Sequence, residues 1–288
     1  MSVALVAHLA RPGAVDLVRR TVARLRAAGQ DVTLHIPEGV GSDDAPADLA
    51  PLVAPSDAPR PAADVVLSFG GDGTFLRAAR LARAVDAPIL GVNVGRIGFL
   101  AEVDPDGLDE ALDALLGGTF RTEERSTLEV TVTDGDGQEV ARGWALNDVA
   151  VEKAARERLV RLEVAIGTTP FANVAADAVI VATSTGSTAY ALSAGGPIVN
   201  PTLDAMLIAP VAPHSLFDRT VVTDLRDTVT VRVADDQDGA VVSTDGLHPV
   251  PVGPGGIVEV RGSERPVRVA RLGPPAFFAR VRRTFRLT

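Results

Sequence analysis

The first half of the chain alternates between two hydrophobic periods. Short apolar runs predict buried strands over 3–9, 31–36, 64–69 and 88–93. Between these runs, apolar residues recur three or four positions apart, which predicts helices over 13–29, 74–85 and 106–118. Gly29 stands where a glycine would end the first helix. This alternation of strand and helix favours a mostly parallel sheet covered by helices.

From about residue 120 the pattern changes to short strands rich in Val and Thr. Two alternating runs flank Asp134-Gly135-Asp136-Gly137, which predicts a hairpin because Asp-Gly accepts the positive φ of tight turns. Short runs of the same kind continue to about residue 262. The second half therefore predicts a separate, all-β domain.

These patterns set the expected domain limits. We expect an α/β domain over 1–119 and a β domain over 120–264. The tail, 265–288, has apolar positions at roughly helical spacing and is expected to pack back on the first domain. The stretch 37–63 has no period and is rich in Ala, Pro and Asp, so we expect a mobile surface loop, or a linker of no function.

Composition and charge narrow the class of protein. The 288 residues include 28 Lys and Arg against 37 Asp and Glu, a net charge of −9, which disfavours a general nucleic-acid binder. The sequence has no cysteine, as is usual in a reducing compartment. No signal peptide is recognisable, and no apolar run reaches the roughly 20 residues of a membrane helix. We expect a cytoplasmic protein without nucleic-acid or membrane partners.

The stretch SFGGDGTFLRAA, which joins a predicted strand to a predicted helix, has the composition of a phosphate loop. Gly70, Gly71 and Gly73 would let a phosphate approach main-chain N–H groups at a helix N-terminus. Asp72 would repel that phosphate unless it has another task, such as accepting a proton from an attacking hydroxyl or holding a metal ion. Arg77, one turn further on, would offer a cation to the same phosphates.

A simpler interpretation of the same stretch is a tight turn in which Asp72 caps the helix. The spacing of its glycines matches neither the dinucleotide fingerprint nor the Walker loop. Three other features also have structural alternatives. Asn147-Asp148 is also typical of a turn between strands, Tyr190 of a core aromatic, and His214 of a structural histidine. The remaining histidines show no spacing typical of zinc ligands.

The motifs together resemble the NAD kinase family, and more distantly the diacylglycerol and sphingosine kinases and the phosphofructokinases. The similar stretches, in the order in which that family has them, are GGDGT, GVNVGRIGFLAEV, ALNDVAVEK, TSTGSTAYALSAGGPIVNP and APHSLFDRTVV. TGSTAY followed by SAGGP is the most specific of them. The resemblance spans nearly the whole chain.

The resemblance implies a fold and a reaction. The fold is a Rossmann-like, phosphofructokinase-like α/β domain carrying GGDGT, followed by a β-sandwich domain carrying TGSTAY, with the active site between them. The reaction is phosphoryl transfer from ATP or polyphosphate to the 2′-hydroxyl of the adenosine ribose of NAD, which gives NADP. A divalent metal ion, usually Mg²⁺, assists, and the assembly is a homodimer or homotetramer built through the β domain.

The resemblance also implies roles for individual residues. Asp72 matches the catalytic aspartate, and Asn147 with Asp148 matches an Asn-Glu pair that grips the ribose and adenine. Asp177 matches an aspartate near the nicotinamide, and His214 a histidine near the substrate. The remaining residues expected to bind the substrate are Gly73, Thr74, Phe75, Arg77, Thr185, Ser187, Thr188, Ala189, Tyr190 and Ser193.

The chain departs from the family pattern at three positions. Asp148 stands in place of Glu and is one methylene shorter; Ala178 stands in place of Gly, and Ser184 in place of Pro. Alanine requires either an extended backbone or an altered turn at 178, and the lost proline would loosen the segment that cradles the dinucleotide. These departures bear on the acceptor, which leaves NADH or another adenylated nucleotide as alternatives to NAD.

Two further alternatives concern the class of protein. A lipid kinase is disfavoured, because the chain has net charge −9 and no basic amphipathic surface helix. A dinucleotide sensor without catalysis is disfavoured by Asp72 and Arg77, since a sensor needs neither a base nor a phosphate clamp.

Overall fold

The structure is a computed structural model that describes residues 1–37, 45–54, 62–95, 98–155, 158–215, 218–235, 238–273 and 277–287. The strands are β1 (Ser2–Ala7), β2 (Asp31–His35), β3 (Val65–Gly70), β4 (Ile89–Asn93), β5 (Arg121–Arg125), β6 (Leu128–Thr133), β7 (Glu139–Ala145), β8 (Asp148–Lys153), β9 (Val160–Ile166), β10 (Thr169–Ala176), β11 (Ala178–Thr183), β12 (Ala205–Val211), β13 (Val221–Asp224), β14 (Thr228–Val233), β15 (Ala240–Thr244), β16 (Leu247–Val252), β17 (Ile257–Gly262) and β18 (Val267–Arg271). The helices are α1 (Ala14–Ala27), α2 (Asp72–Ala84), α3 (Leu108–Leu116), α4 (Tyr190–Ser193) and α5 (Phe277–Phe285).

The chain divides into two compact units. The first comprises Met1–Glu124 and Val267–Thr288, and the second comprises Arg125–Pro266. The boundaries expected from sequence lay after residues 119 and 264. The strand β5, which follows the first of those positions, lies at the edge of the sheet of the first unit. None of the helices in the described parts of the chain is long and apolar enough to cross a membrane.

The sheet of the first unit has the strand order β2-β1-β3-β4-β18-β5. Its pairs β1–β2, β1–β3, β3–β4 and β4–β18 are parallel, so the predicted α/β domain is confirmed. Apolar side chains of α1 and α3 join one face of this sheet in a single core, which includes Leu17, Val18, Leu112 and Phe69. The helix α2 packs against β1, β3, β4 and β18. Gly29 has φ 71°, as a glycine that ends a helix requires.

The prediction of a mobile surface loop over 37–63 is partly wrong. Residues 38–44 and 55–61 lie outside the described residues. Between them, a turn of 3₁₀ helix spans Ala50–Leu52, and Val53 bridges to Leu34 of β2. Leu49 and Leu52 are only 2% and 7% exposed and belong to the core of the first unit. Two leucines that reach the core therefore anchor a stretch whose composition alone indicated no fixed structure.

The second unit is an antiparallel β-sandwich, as predicted. One sheet has the order β10-β9-β14-β17-β6-β7 and the other β13-β12-β11-β8-β15-β16. The hairpin expected at Asp134–Gly137 joins β6 to β7, with Gly137 at φ 81°. Alternate side chains of both sheets, such as Val130 and Val181, meet in one core.

The opposite face of the second sheet is also covered. Ala150, Ile180 and Leu207 alternate with the sandwich core residues of β8, β11 and β12 and form a small cluster with Ala191 of α4. Asp148, the first residue of β8, is two positions before Ala150, so its side chain lies on this second face. The strand period therefore places Asp148 beside the segment that contains TGSTAY.

Candidate active site

The site of the first unit lies where parallel strands end at one edge of the sheet. The chain goes from β1 to β2 on one side and returns to β3 on the other, so the order reverses between β1 and β3. Ligands of open α/β sheets bind at the carboxyl ends of the strands at such a point. The segment after β1 contains Arg11, and the segment after β3 is the GGDG turn.

Because the GGDG turn is built from glycines, neighbouring side chains approach its main chain closely. A Cβ on Gly70 would lie 2.2 Å from Oγ1 of Thr74, and one on Gly71 would lie 3.3 Å from the Arg11 guanidinium. The helix α2 begins at Asp72, two residues earlier than predicted, and its N-cap residue is Gly71. The first N–H groups of a helix have no partner within it and favour an anion. Capping of the helix by the Asp72 side chain, the simpler interpretation, is wrong.

The Asp72 carboxylate is held instead by residues 98–100. Its Oδ2 accepts a hydrogen bond from the main-chain N–H of Phe99, and its Oδ1 from that of Leu100, both at 3.0 Å. Gly98 lies so close that a Cβ there would be 2.1 Å from Oδ1. One orientation of the carboxylate is thereby selected by two donors and one close approach.

Asp72 lines an open cavity of about 600 Å³ together with Arg11, Pro12, Gly71, Val94, Gly95 and Gly98. Nη1 of Arg11 donates a hydrogen bond to the Val94 carbonyl at 2.9 Å, which fixes the guanidinium beside the glycine turn. Burial lowers the pKa of His8, and the charges of Arg11 and Arg77 lower it further. The cavity therefore combines a positive potential with one carboxylate.

The second unit brings Asn147 and Asp148 together with Asp245. The Asp245 carboxylate accepts hydrogen bonds from the main-chain N–H groups of Leu146, Asn147 and Asp148 at 3.0, 2.7 and 3.3 Å. The side chain of Asn147 is buried, and its Oδ1 has no hydrogen-bond partner among the described residues. A buried acceptor of this kind calls for an explanation such as a ligand donor.

The electrostatics around Asp148 are unusual. Burial raises the pKa of Asp148 to about 7, and the nearby charge of Asp245 contributes to the rise. The main-chain N–H of Tyr190 acts in the opposite direction by donating a hydrogen bond to the Asp148 carboxylate. Burial also raises the pKa of the Tyr190 phenol, whose oxygen lies 3.3 Å from Oε1 of Glu152.

The segment from Thr183 to Ser193 packs directly on Asn147. A Cβ on Gly186 would lie 2.0 Å from the Asn147 carbonyl oxygen, so glycine is required there. The hydroxyl of Ser187 is buried and donates to the Ser184 carbonyl at 2.7 Å. Ser184 itself donates to the Leu203 carbonyl at 2.6 Å, so this departure from the family pattern adds an anchor to the segment.

The other predicted residues are distributed over both units. Asp177 forms a 2.5 Å ion pair with Lys153. Ala178 is the first residue of strand β11, so of the two backbone conformations expected at this position the extended one is present. Thr74 and Phe75 are buried in the first unit, where Nη1 of Arg77 donates to the Gly73 carbonyl at 3.1 Å. In the second unit, Thr185 is buried, Thr188 and Ala189 are half-buried, and Tyr190, Ser193 and His214 are exposed.

Three residues of the candidate sites in the two units were missed at the sequence level: Arg11, Asp245 and Gly98. Arg11 follows the first strand in Arg-Pro-Gly, and Asp245 precedes a glycine in a turn. Such local patterns are common in loops, so they give no functional signal without the fold. Gly98 lies in the stretch GVNVGRIGFLAEV, where the sequence alone indicates no role for this glycine.

A glycine turn at a helix N-terminus, an arginine and a positioned aspartate at the carboxyl edge of a parallel sheet are typical of the phosphoryl-transfer sites of kinases. The comparisons narrow this class. Residues 54–120 match the ATP-NAD kinase N-terminal domain and residues 146–272 the ATP-NAD kinase C-terminal domain.

Two relatives described as NAD kinases are similar to most of the chain. The NAD kinase of Mycobacterium tuberculosis is 40% identical over 297 residues, which cover 99% of this chain and 96% of that protein. The NAD kinase of Corynebacterium glutamicum is 46% identical over 225 residues, which cover 78% and 77% of the two chains. The chain belongs to the NAD kinase family, and it is an enzyme that phosphorylates NAD to NADP.

Two solved structures share the fold. Yeast NADH kinase complexed with NADH gives a TM-score of 0.84 at 20% identity, with 100% of this chain and 88% of that chain covered. An NAD kinase from Archaeoglobus fulgidus in complex with ATP gives 0.73 at 24% identity, with 99% of both chains covered. At these identities the likeness shows the fold alone.

Proposed function

We propose that the protein transfers the terminal phosphoryl group of ATP or polyphosphate to the 2′-hydroxyl of the adenosine ribose of NAD. The observation that carries this proposal is the Asp72 carboxylate, which two main-chain donors orient at the wall of a cavity that also contains Arg11 and the glycine turn. Phosphoryl transfer depends mostly on positioning and charge neutralisation, and this cavity supplies both.

The donor phosphates bind at the GGDG turn. Gly70, Gly71 and Gly73 allow close approach, the N-terminus of α2 favours negative charge, and Arg11 and Arg77 supply two guanidinium groups. ATP and polyphosphate both present consecutive negatively charged phosphates joined by bridging oxygens, so either fits this surface. The Archaeoglobus fulgidus NAD kinase was solved with ATP, which supports ATP as the donor here.

Asp72 accepts the proton in the transfer step. The 2′-oxygen forms a bond to the terminal phosphorus of the donor, and the bond from that phosphorus to the bridging oxygen breaks. The hydroxyl proton moves to the Asp72 carboxylate, and ADP or a shortened polyphosphate leaves. The hydrogen bonds from Phe99 and Leu100 keep the carboxylate in one orientation during this step.

The acceptor binds in the second unit. The free Oδ1 of Asn147 and the carboxyl of Asp148 face a ligand whose hydroxyl and amine groups donate, as a ribose diol and an adenine do. The TGSTAY segment lines the dinucleotide with Thr185, Thr188, Ala189, Tyr190 and Ser193, while the buried Ser187 supports the segment through its hydrogen bond to Ser184. Asp177 lies towards the nicotinamide, and His214 lies near the substrate. Yeast NADH kinase has the same fold, which keeps NADH as a second acceptor.

A divalent metal ion, Mg²⁺ in this proposal, fits the donor site in a limited way. Among the described residues no three acidic or histidine side chains form a metal cluster, so a site made only of protein ligands is not available there. Mg²⁺ commonly binds through one or two carboxylates and substrate phosphates. Asp72 is the one acidic side chain among the described residues that line the cavity, and in this proposal it accepts the proton, so the substrate phosphates would hold the ion beside it. The ion would neutralise phosphate charge when bound.

The cytoplasmic location and the homodimer or homotetramer stay predictions from the sequence. The test of the proposed reaction combines NAD or NADH with Mg²⁺ and either ATP or polyphosphate, and locates the new phosphate by ³¹P NMR. We expect a 2′-phosphate on the adenosine ribose with at least one donor. Phosphate on another atom, or no product from any pair, would contradict the proposal.

A further inference from the structure

A single peptide group connects the C-terminal helix to the Asp72 carboxylate. The N–H of Leu100 donates to Oδ1 of Asp72 at 3.0 Å. The carbonyl of the same peptide group belongs to Phe99, and it accepts a hydrogen bond from Nη1 of Arg280 at 2.6 Å. Arg280 lies on α5, 181 residues further along the chain than Phe99. A guanidinium, a peptide and a carboxylate thus form one hydrogen-bonded chain.

The order of donors and acceptors strengthens both hydrogen bonds of this series. The guanidinium polarises the carbonyl, and a polarised peptide is a stronger donor through its own N–H. Hydrogen bonds in a chain strengthen one another, and those with a charged member are the strongest kind. Both ends here are charged, with a cation at the carbonyl and a carboxylate at the N–H. Arg280 therefore acts on Asp72 without touching it.

Other contacts hold α5 in place against the same segment. The rings of Phe99 and Phe285 lie 6.0 Å apart, and Nη1 of Arg283 lies 3.1 Å from Oδ2 of Asp104. Burial lowers the pKa of Arg280, and the Arg271 charge adds to this effect, whereas the charges of Glu102 and Asp72 oppose it. Arg280 is half-buried and donates to a loop carbonyl, although a neutral side chain would be buried at a lower desolvation cost, which indicates a specific role for the guanidinium.

We propose that Arg280 is a positioning residue for phosphoryl transfer, which acts on Asp72 through the Phe99–Leu100 peptide group. The inference rests on the proposed function of Asp72 as proton acceptor. Loss of the guanidinium frees the peptide to rotate, and the Leu100 N–H then no longer fixes Oδ1. The orientation of the carboxylate broadens, so the transfer step slows while binding of the dinucleotide in the other unit is unaffected.

The test compares Arg280→Met, which keeps an unbranched apolar stem, with Arg280→Lys, which keeps a cationic donor. We expect Arg280→Met to lower kcat about tenfold with the KM for NAD changed less than twofold. Arg280→Lys should restore kcat to within about threefold of wild type. The matched control is Arg282→Met on the same helix, because Arg282 donates locally to the Leu287 carbonyl. Its kcat should stay within twofold.

Amide hydrogen exchange gives a readout that does not depend on turnover. We expect the Leu100 amide to exchange about tenfold faster in Arg280→Met and at the wild-type rate in Arg282→Met. Unchanged kcat and unchanged exchange in folded Arg280→Met would overturn the inference. An equal loss in Arg280→Met and Arg280→Lys would also overturn it, since that result indicates a packing role.

The background of Asp72→Asn separates this inference from the proposed function. If Arg280 acts through Asp72, Arg280→Met changes the residual turnover of Asp72→Asn less than twofold. A further tenfold loss would overturn the inference and leave the role of Asp72 intact. If Asp72→Asn alone retained full turnover, the proposed function would fail instead, and the exchange of the Leu100 amide would still decide whether the hydrogen-bonded chain exists.

Discussion

Oδ1 of Asp245 lies 2.7 Å from the main-chain nitrogen of Asn147, although 98 residues separate the two along the chain. The same carboxylate accepts hydrogen bonds from the neighbouring residues on both sides, so one side chain shapes the backbone that presents Asn147 and Asp148. Asp245 has φ 54°, a left-handed conformation that aspartate and asparagine adopt more readily than other residues with a side chain.

We expect Asp245→Ala to raise the KM for NAD at least tenfold and to lower the free energy of unfolding by roughly 2–3 kcal/mol. Three N–H groups lose their acceptor, and alanine is strained at a positive φ. Asp245→Asn keeps the φ preference and one acceptor oxygen, so its losses should be smaller. Steady-state kinetics and urea unfolding measure both quantities. Equal KM values for wild type and Asp245→Ala would contradict this role.

The pKa of Asp148, raised to about 7 from an ordinary 3.8, predicts how stability depends on pH. Between these two values the unfolded chain has lost a proton that the folded protein keeps, so this group's contribution to stability falls as pH rises and is lost above 7. At 1.36 kcal/mol per pKa unit, the effect is on the order of a few kcal/mol.

We expect Asp148→Asn to remove that decline. Its unfolding midpoint should exceed that of wild type at pH 8, and the difference between the two proteins should shrink as the pH is lowered towards 4.5. Thermal unfolding across this range checks the sign. A wild-type curve parallel to that of Asp148→Asn at every pH would show that Asp148 has an ordinary pKa in the folded protein.

Arg11 is expected to serve the donor phosphates and not the dinucleotide. Arg11→Met should raise the KM for ATP roughly tenfold, because a charge-assisted hydrogen bond to phosphate is lost, and should leave the Kd for NAD unchanged. The control is Arg19→Met, whose wild-type side chain is exposed and paired with Asp48. A rise in the Kd for NAD without a change in the KM for ATP would place Arg11 in a different role.

The contact between Gly186 and the Asn147 carbonyl predicts that even one methyl group is too large there. Gly186→Ala should weaken NAD binding at least tenfold, since a Cβ 2.0 Å from that oxygen forces the backbone of one segment to move. Gly253→Ala is a matched control in the same unit, because a Cβ on Gly253 would have no atom within 4 Å. Titration with NAD compares the two. Unchanged affinity in Gly186→Ala would contradict the predicted clash.

The sequence predicted those parts of the structure that local patterns determine. The strands β1 to β4, the helices between them and the hairpin at Asp134–Gly137 follow from periodicity and turn chemistry over a few residues. The placement of β5 and β18 next to each other in the first sheet does not, because strands so far apart in sequence pair only once the fold is formed. The role of Asp245 could not be predicted for the same reason, because its partners are 97 to 99 residues away in the sequence.

The candidate site was predictable to a similar extent. The glycine turn marks Asp72, since an acidic residue among glycines at the end of a strand suggests chemistry. The helix α2 begins two residues before its predicted start, because its N-cap residue is a glycine and has no capping side chain that the sequence could show. Arg11 and Gly98 line the cavity beside Asp72, and Arg280 contacts the Phe99 carbonyl, only through the packing of the first unit.

The central claim is that Asp72 accepts the proton in transfer to the 2′-hydroxyl, and one comparison tests it most directly. NADP formation from NAD, ATP and Mg²⁺ is followed with an NADP-specific dehydrogenase for wild type and for Asp72→Asn, and the Kd for NAD is measured for both. We predict a loss of turnover of at least a hundredfold in Asp72→Asn with an unchanged Kd for NAD. Turnover by Asp72→Asn within a fewfold of wild type would contradict the claim.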